Sequence, residues 1–305
     1  MGLVLRLATA LMRWGSHHPK FGHRDCYTES FARPAQGRIS EATRREFEDG
    51  ASFFLPFGES LCPEHLAAKD VLDLGCGHGG RTLYYLISGN PRSIVGLEIS
   101  HARASIAKYS VARMGADDRI SFVAGLGEEL PFEDCSFDLI ISYDVFEHVG
   151  DLRRVLRECH RALRWGGRLC ALFPPYYGPR AHHLDFITTL PFLHYFFSPD
   201  TLVRAANHIL RENPQLRDEP LPEPAISYCG RRVLPRLNGT TERIFRRLVE
   251  ESPFEVIELK LMPFGWTPGN GLKSLVRAIS RACLKLPWPF TRDVFIGTIC
   301  CILQK

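Results

Sequence analysis

Short apolar runs alternate with helical repeats through the middle of the chain, beginning at Val71, Leu72 and Leu74. Branched and leucine side chains on both sides of a short run suit a strand covered on both faces, as in a parallel sheet. The run passes directly into Gly75-Cys76-Gly77-His78-Gly79-Gly80, a turn whose glycines free the backbone. A helix follows from Arg81, with Leu83, Tyr84 and Leu86 toward the sheet. Ser93–Glu98, Ile120–Gly125, the stretch ending at Ser142, and Arg168–Phe173 repeat the strand pattern. Between the last two, Leu152, Val155, Leu156, Cys159 and Leu163 recur at helical spacing. Strands alternating with helices predict an α/β domain wound on a mostly parallel sheet.

The flanks read differently. Leu3, Val4, Leu7, Leu11 and Met12 predict the apolar side of a short helix, and Gly15, Pro19, Pro34 and Gly37 predict an irregular connection over 15–39. Ser40 predicts the cap of a helix over 41–50, with Arg44 and Glu46–Glu48 toward solvent and Phe47 inward. Phe53-Phe54-Leu55-Pro56-Phe57 predicts core packing. After Pro174-Pro175, about eighty residues precede the next convincing strand, against roughly two to six in an ordinary connection. This stretch holds Tyr176-Tyr177, an uncharged aromatic segment over 186–197, a helix from Ser198-Pro199 to Arg211 and a proline-rich loop over 212–239. Thr241–Glu251 reads as helix, and Phe254–Met262 and Asp293–Leu303 as the last two strands. Between them, Leu272–Leu286 predicts a helix with Lys273, Arg277, Arg281 and Lys285 on one face and Leu272, Leu275, Val276, Ile279 and Leu286 on the other. The resulting organisation is an N-terminal basic segment and helical cap over 1–60 and a main domain over 61–305, with a lid or acceptor-binding insertion at 176–240.

A chain of 305 residues and 34.6 kDa can bury a full core, and 45% hydrophobic with 24% charged residues is ordinary for a soluble globular protein. No apolar run reaches the roughly 20 residues needed to cross a bilayer. Ten scattered cysteines, one inside the glycine turn, predict reduced thiols in a cytoplasmic compartment, and Asn238-Gly239-Thr240 is then read as a turn. A net charge of +4 is too mild for a nucleic-acid binder. Its distribution is uneven, because Arg6, Arg13, Lys20 and Arg24 precede the first acid, Asp25. The two basic amphipathic stretches leave two readings open, packing on the body of the protein or peripheral contact with an anionic membrane.

The chemistry centres on the glycine turn. A phosphate-binding loop needs a terminal Gly-Lys-Ser/Thr that is missing here. Gly75, Gly77 and Gly80 satisfy a dinucleotide GxGxxG, but Asp73 stands two residues before the first glycine. A carboxylate there repels a pyrophosphate and attracts an ammonium or sulfonium group. Glu98, at the end of the second strand, is placed to accept from both ribose hydroxyls.

Asp73-Leu74-Gly75-Cys76-Gly77-His78-Gly79 resembles motif I of the class I S-adenosylmethionine-dependent methyltransferases. The type 11 group is resembled further by Leu130-Pro131-Phe132, the acidic loop to Phe137-Asp138, Glu147-His148-Val149, and Trp165-Gly166-Gly167 before the fifth strand. The resemblance implies a Rossmann-like seven-stranded sheet with an antiparallel last strand, and S-adenosyl-L-methionine as cofactor. It implies cofactor contacts from Asp73, Gly75, Cys76, Gly77, Glu98, Ile99, Leu126, Gly127, Glu128, Ser142 and Tyr143. Leu126 departs from the group, which commonly has Asp there to accept from the adenine amino group, so Gly127 backbone or the Glu128 side chain takes the polar role.

The expected reaction is methyl transfer to oxygen or nitrogen of a small, apolar or lipid-like acceptor. His148, His182 and His183 are candidates for a general base, and Tyr143 and Tyr177 for shaping the pocket. His182, His183, Asp185 and His194 have donor chemistry without a recognisable metal spacing, so no metal is expected. A nucleic-acid methyltransferase is disfavoured, because the fourth strand ends in Ser142-Tyr143-Asp144-Val145 rather than a base-handling Asn/Asp-Pro-Pro-Tyr. The competing reading is a non-catalytic regulatory or assembly module on the same fold. Oligomeric state is not legible.

Overall fold

A computed structural model of the chain describes residues 2–16, 39–116, 118–179, 181–217, 219–265, 272–285 and 292–305. Pro19, Lys20, Arg24, Pro34, Gly37 and Leu286, for which the sequence carries expectations, lie outside the described residues. In chain order the helices are α1 (Leu3–Gly15), α2 (Glu41–Glu48), α3 (Gly80–Gly89), α4 (His101–Arg113), α5 (Leu152–Ala162), α6 (Leu193–Phe196), α7 (Pro199–Glu212), α8 (Glu242–Glu250) and α9 (Leu272–Leu284). The strands are β1 (Asp70–Leu74), β2 (Ser93–Glu98), β3 (Ile120–Ala124), β4 (Phe137–Tyr143), β5 (Leu163–Phe173), β6 (Ala225–Ile226), β7 (Arg232–Val233), β8 (Glu255–Pro263) and β9 (Ile296–Gln304).

The chain forms two compact units. The sheet unit comprises 31–173, 243–260 and 299–305, and the insertion unit comprises 1–30, 174–242 and 261–298. The seven-stranded sheet has the order β3-β2-β1-β4-β5-β9-β8. β1 pairs in parallel with β2 and β4, β2 with β3 and β4 with β5, whereas β9 runs antiparallel to β5. This is the Rossmann-like arrangement expected from the alternating pattern, with the last strand inserted beside the fifth. β1 carries Val71, Leu72 and Leu74 fully into the core because helices cover both faces. The strand order reverses between β1 and β4, which opens a crevice at the carboxyl ends of the strands, where such sheets bind ligands. Phe53, Phe54 and Phe57 are buried as expected, Phe53 and Phe54 packing on Tyr85 and Phe57 on Phe53, whereas Leu55 of the same run is exposed.

The insertion unit has its own core. Ala8 and Met12 of α1 pack with Leu202, Ala205, Ala206 and Ile209 of α7, and with Leu184, Ile187 and Leu193. The orientation of α1 differs from the sequence expectation. Met12 is buried and Leu11 partly so, but Leu3, Val4 and Leu7 are exposed, while Ala8, Thr9 and Gly15 face inward. Small residues win because they let the helix approach closely: a Cβ at Gly15 would lie 2.2 Å from Thr188 Oγ1, and Ala205 and Ala206 are equally short on the facing helix. The 212–239 stretch has more structure than expected. β6 and β7 pair antiparallel, and Asn238 Oδ1 accepts from Thr240 N and Oγ1, making the turn that the sequence suggested. Asp293 lies in a short 3-10 turn, so the last strand starts at Ile296.

The observed α1 orientation has a direct check. Met12→Ala should lower stability by about 2–4 kcal/mol in urea denaturation, because the cavity forms in a close-packed core. Leu7→Ala should change it by less than about 0.5 kcal/mol.

Candidate cofactor site

The glycine turn is fastened to β2. Gly75 N and Cys76 N both donate to Leu97 O, at 2.8 and 3.0 Å. Gly75 has a φ of +81°, and a Cβ there would stand 2.2 Å from Val145 Cγ2, so only glycine serves. Glu98 is buried at the strand tip, its Oε2 accepting from Gly77 N at 3.2 Å and its Oε1 from Ser100 N at 3.1 Å. The carboxylate is thus oriented by backbone and by Arg103 Nη1 at 3.5 Å, with lone pairs left for a diol.

The first free N–H groups of α3 do not point at an empty turn. Glu46 of α2 reaches over them: Oε1 accepts from His78 N at 3.0 Å, Oε2 from Gly80 N at 3.0 Å, and the His78 ring Nδ1 lies 3.0 Å from Oε1. Thr43 Oγ1 donates to His78 O at 2.9 Å, and a Cβ at Gly80 would fall 1.9 Å from Thr43 O. The expectation that Glu46 faces solvent is therefore corrected. An exposed-looking Glu-rich helix face hides one acid that complements the positive end of another helix. Gly80 is what lets the two backbones meet.

Around this turn the expected residues fall into place by element. Asp73 ends β1, is buried, and accepts from Thr82 Oγ1 at 2.6 Å, while burial pushes its carboxyl up to about 6. Cys76 is buried, and its thiol is pushed up by desolvation. Ile99 and Leu126, at the ends of β2 and β3, are 68% and 46% exposed. Gly127 follows Leu126, and Glu128 Oε1 accepts from Gly150 N and Asp151 N at the start of α5, so that oxygen has an intramolecular task. On β4, Ser142 is buried with its hydroxyl unpaired among the described residues. Tyr143 packs on Phe53, and burial pushes its phenol up to about 12.

Three residues near this constellation were named in the sequence reading but not as site residues. Besides Glu46, the Arg81 guanidinium lies 4.5 Å over the Tyr143 ring and 3.9 Å from Asp49. A cation in the first turn of a helix opposes the dipole, which is the signal that it serves something else. Glu147 is buried with neither carboxyl oxygen hydrogen-bonded among the described residues, and burial pushes its pKa well up. His148 follows it, with Nε2 3.7 Å from Glu147 Oε1.

In the insertion unit, His182 is buried and both ring nitrogens are engaged: Nε2 donates to Leu190 O at 2.8 Å and Nδ1 accepts from Leu184 N at 3.1 Å. That pairing fixes a neutral tautomer and occupies the lone pair a base would use. His183 has a φ of +52° and is half-buried.

Residues 72–171 match the family described as a methyltransferase domain. The phthiotriol/phenolphthiotriol dimycocerosates methyltransferase of Mycobacterium tuberculosis is 37% identical over 102 residues, 33% of this chain and 36% of that protein. The sarcosine/dimethylglycine N-methyltransferase of Halorhodospira halochloris is 34% identical over 129 residues, 42% of this chain and 43% of that protein. The chain thus spans well under half the length of these curated relatives. Among solved structures, the PH0226 protein of Pyrococcus horikoshii is similar in fold with a TM-score of 0.50 and 16% identity, over 87% of this chain and 94% of that one. With the sheet order and glycine turn, these findings identify a class I S-adenosylmethionine-dependent methyltransferase fold of the type 11 kind.

The residues present fit S-adenosylmethionine. Glu46 already fills the anion position at the α3 N-terminus, which disfavours a pyrophosphate there. Glu98 is fixed for ribose hydroxyls, and the exposed Ile99 and Leu126 offer apolar flanks to a purine. The raised pKa of Asp73 sets a pH dependence. Because the folded value, about 6, exceeds the unfolded one, ionisation opposes folding, so this contribution to stability is lost as pH rises through about 6. A bound ammonium favours the ionised form. S-adenosylmethionine affinity should therefore rise between about pH 5 and pH 7 and then level off, and Asp73→Asn should flatten that rise in calorimetric titrations.

Proposed function

We propose that the protein transfers a methyl group from S-adenosylmethionine to oxygen or nitrogen of a small, apolar acceptor. The cofactor supplies an electrophilic methyl group on a sulfonium. Glu98 holds the ribose, Ile99 and Leu126 flank the base, and Asp73 and Arg81 address the charged amino acid end. Cys76, Gly77 and Gly127 offer backbone groups at the rim, with Ser142 and Tyr143 below them. Direct displacement gains from positioning and from exclusion of water, so the aromatic layer of Phe53 and Tyr143 contributes by keeping one wall dry.

The acceptor reading rests on a cleft of about 480 Å³ built wholly from insertion residues, including Tyr176, Tyr177, His194, Tyr195, Phe197 and Arg231. Both His194 ring nitrogens are buried without a hydrogen bond among the described residues, and burial beside His182 lowers its pKa to about 3. A neutral imidazole between tyrosine rings suits an apolar body carrying one polar atom. The match to the methyltransferase domain family ends at residue 171, before this cleft, so the family match does not specify an acceptor. Labelled-methyl transfer should be found with phenols and long-chain alcohols and be absent with sarcosine. Transfer to sarcosine alone would defeat the apolar reading.

His148 is the proposed base where the acceptor must lose a proton, since it follows β4 at the carboxyl edge of the sheet. His148→Ala should slow single-turnover transfer by about tenfold to a hundredfold and remove its pH dependence, with cofactor affinity changed less than about threefold. An unchanged rate across pH would exclude the role.

A further inference from the structure

Among the described residues, two helices of the insertion unit leave apolar stripes uncovered. On α1, Leu3, Leu7 and Trp14 are 83%, 53% and 68% exposed, and a helical repeat puts these positions within a narrow arc on the side opposite the buried Ala8 and Met12. On α9, Leu275 and Ile279 are 56% and 50% exposed, in line with the small Ala278 and Ala282. Neither helix contains an acid. The cations differ in their commitments. Arg13 pairs with Glu212 at 2.6 Å, whereas Arg6 of α1 and Arg281 of α9 are exposed and flank the stripes.

We infer that α1 and α9 form a peripheral binding surface for an anionic lipid bilayer. Burying leucine, isoleucine and tryptophan in the acyl boundary while arginines meet lipid phosphates satisfies both faces at once. A second copy of the chain would set the same cationic, acid-free stripe against itself. A nucleic acid would satisfy the arginines but leave the leucines and the tryptophan in water. No described helix is long and apolar enough to cross a membrane, so both helices lie in the plane of the interface. None of these residues belongs to the cofactor constellation, so the inference is independent of the proposed reaction.

The test is co-sedimentation of the full chain with vesicles of phosphatidylcholine alone and of phosphatidylcholine with phosphatidylglycerol. The expected result is partition at least about tenfold stronger into the anionic vesicles, weakened at high salt. Leu7→Gln with Trp14→Gln, and separately Leu275→Gln with Ile279→Gln, should each weaken it by about tenfold or more while leaving S-adenosylmethionine binding and the unfolding midpoint unchanged. Failure of the wild-type chain to bind anionic vesicles, or binding that neither double variant weakens, overturns the inference. So does light scattering that finds a dimer dissociated by either double variant, since the stripe would then be a contact between copies.

Discussion

The site depends on one electrostatic contact, the Glu46 carboxylate seated on the N–H groups of His78 and Gly80 at the start of α3. It satisfies donors that would otherwise need water or a ligand, and it uses the positive end of the helix. Its second effect is on ligand choice. With an internal anion already at the α3 N-terminus, a pyrophosphate there would meet like charge, and two further acids, Asp73 and Glu98, stand beside the turn with Arg81. That balance suits a cationic nucleoside better than a pyrophosphate.

That contact also links distant parts of the chain. α2 can deliver Glu46 only because Gly80 lacks a Cβ and Thr43 binds His78 O. The turn in turn hangs on β2 through Leu97 O and Glu98. The charged ends of β1 and β2 are held by different partners, Thr82 for Asp73, and backbone N–H groups with Arg103 for Glu98. A disturbance of α2 therefore reaches the cofactor residues through the turn rather than through the sheet.

The sheet was legible in the sequence because its signal is local. Buried parallel strands are short apolar runs, and the spacing of Leu152, Val155, Leu156 and Cys159 announces a covering helix. Asp73, Glu98 and the glycines were legible because each ends a strand or makes a turn that follows from its own neighbours. Glu46 was not, since its partner lies 32 residues on and a run of glutamates on a short helix looks like a solvated face. α1 was misoriented for a related reason. Leucines occupy two sides of it, and the choice between them was made by Ala8, Gly15 and the alanines of α7, which carry no hydrophobic signal strong enough to be seen alone. Arg81 was likewise invisible because its surroundings set it apart, a guanidinium on an aromatic face, and the Glu147-His148-Val149 stretch gave no sign that the Glu147 carboxylate is buried.

The two units follow different physical rules. Residues 72–171, the span that matches the methyltransferase domain family, carry the buried acids and the glycine turn, whose positions follow from the charge and close approach they must accommodate. The insertion unit has its own core of α1, α7 and the segment between β5 and α7, and that core needs only matched volumes. Its surface carries the aromatic cleft with its neutral His194. Under the proposed reaction, an imidazole held neutral by burial suits an acceptor that brings a polar atom to it, while Arg231 puts a cation on the wall of the same cleft. Burial thus acts in opposite senses on two groups: it raises the cost of ionising Asp73 in the sheet unit, and it keeps the His194 ring unprotonated in the insertion unit.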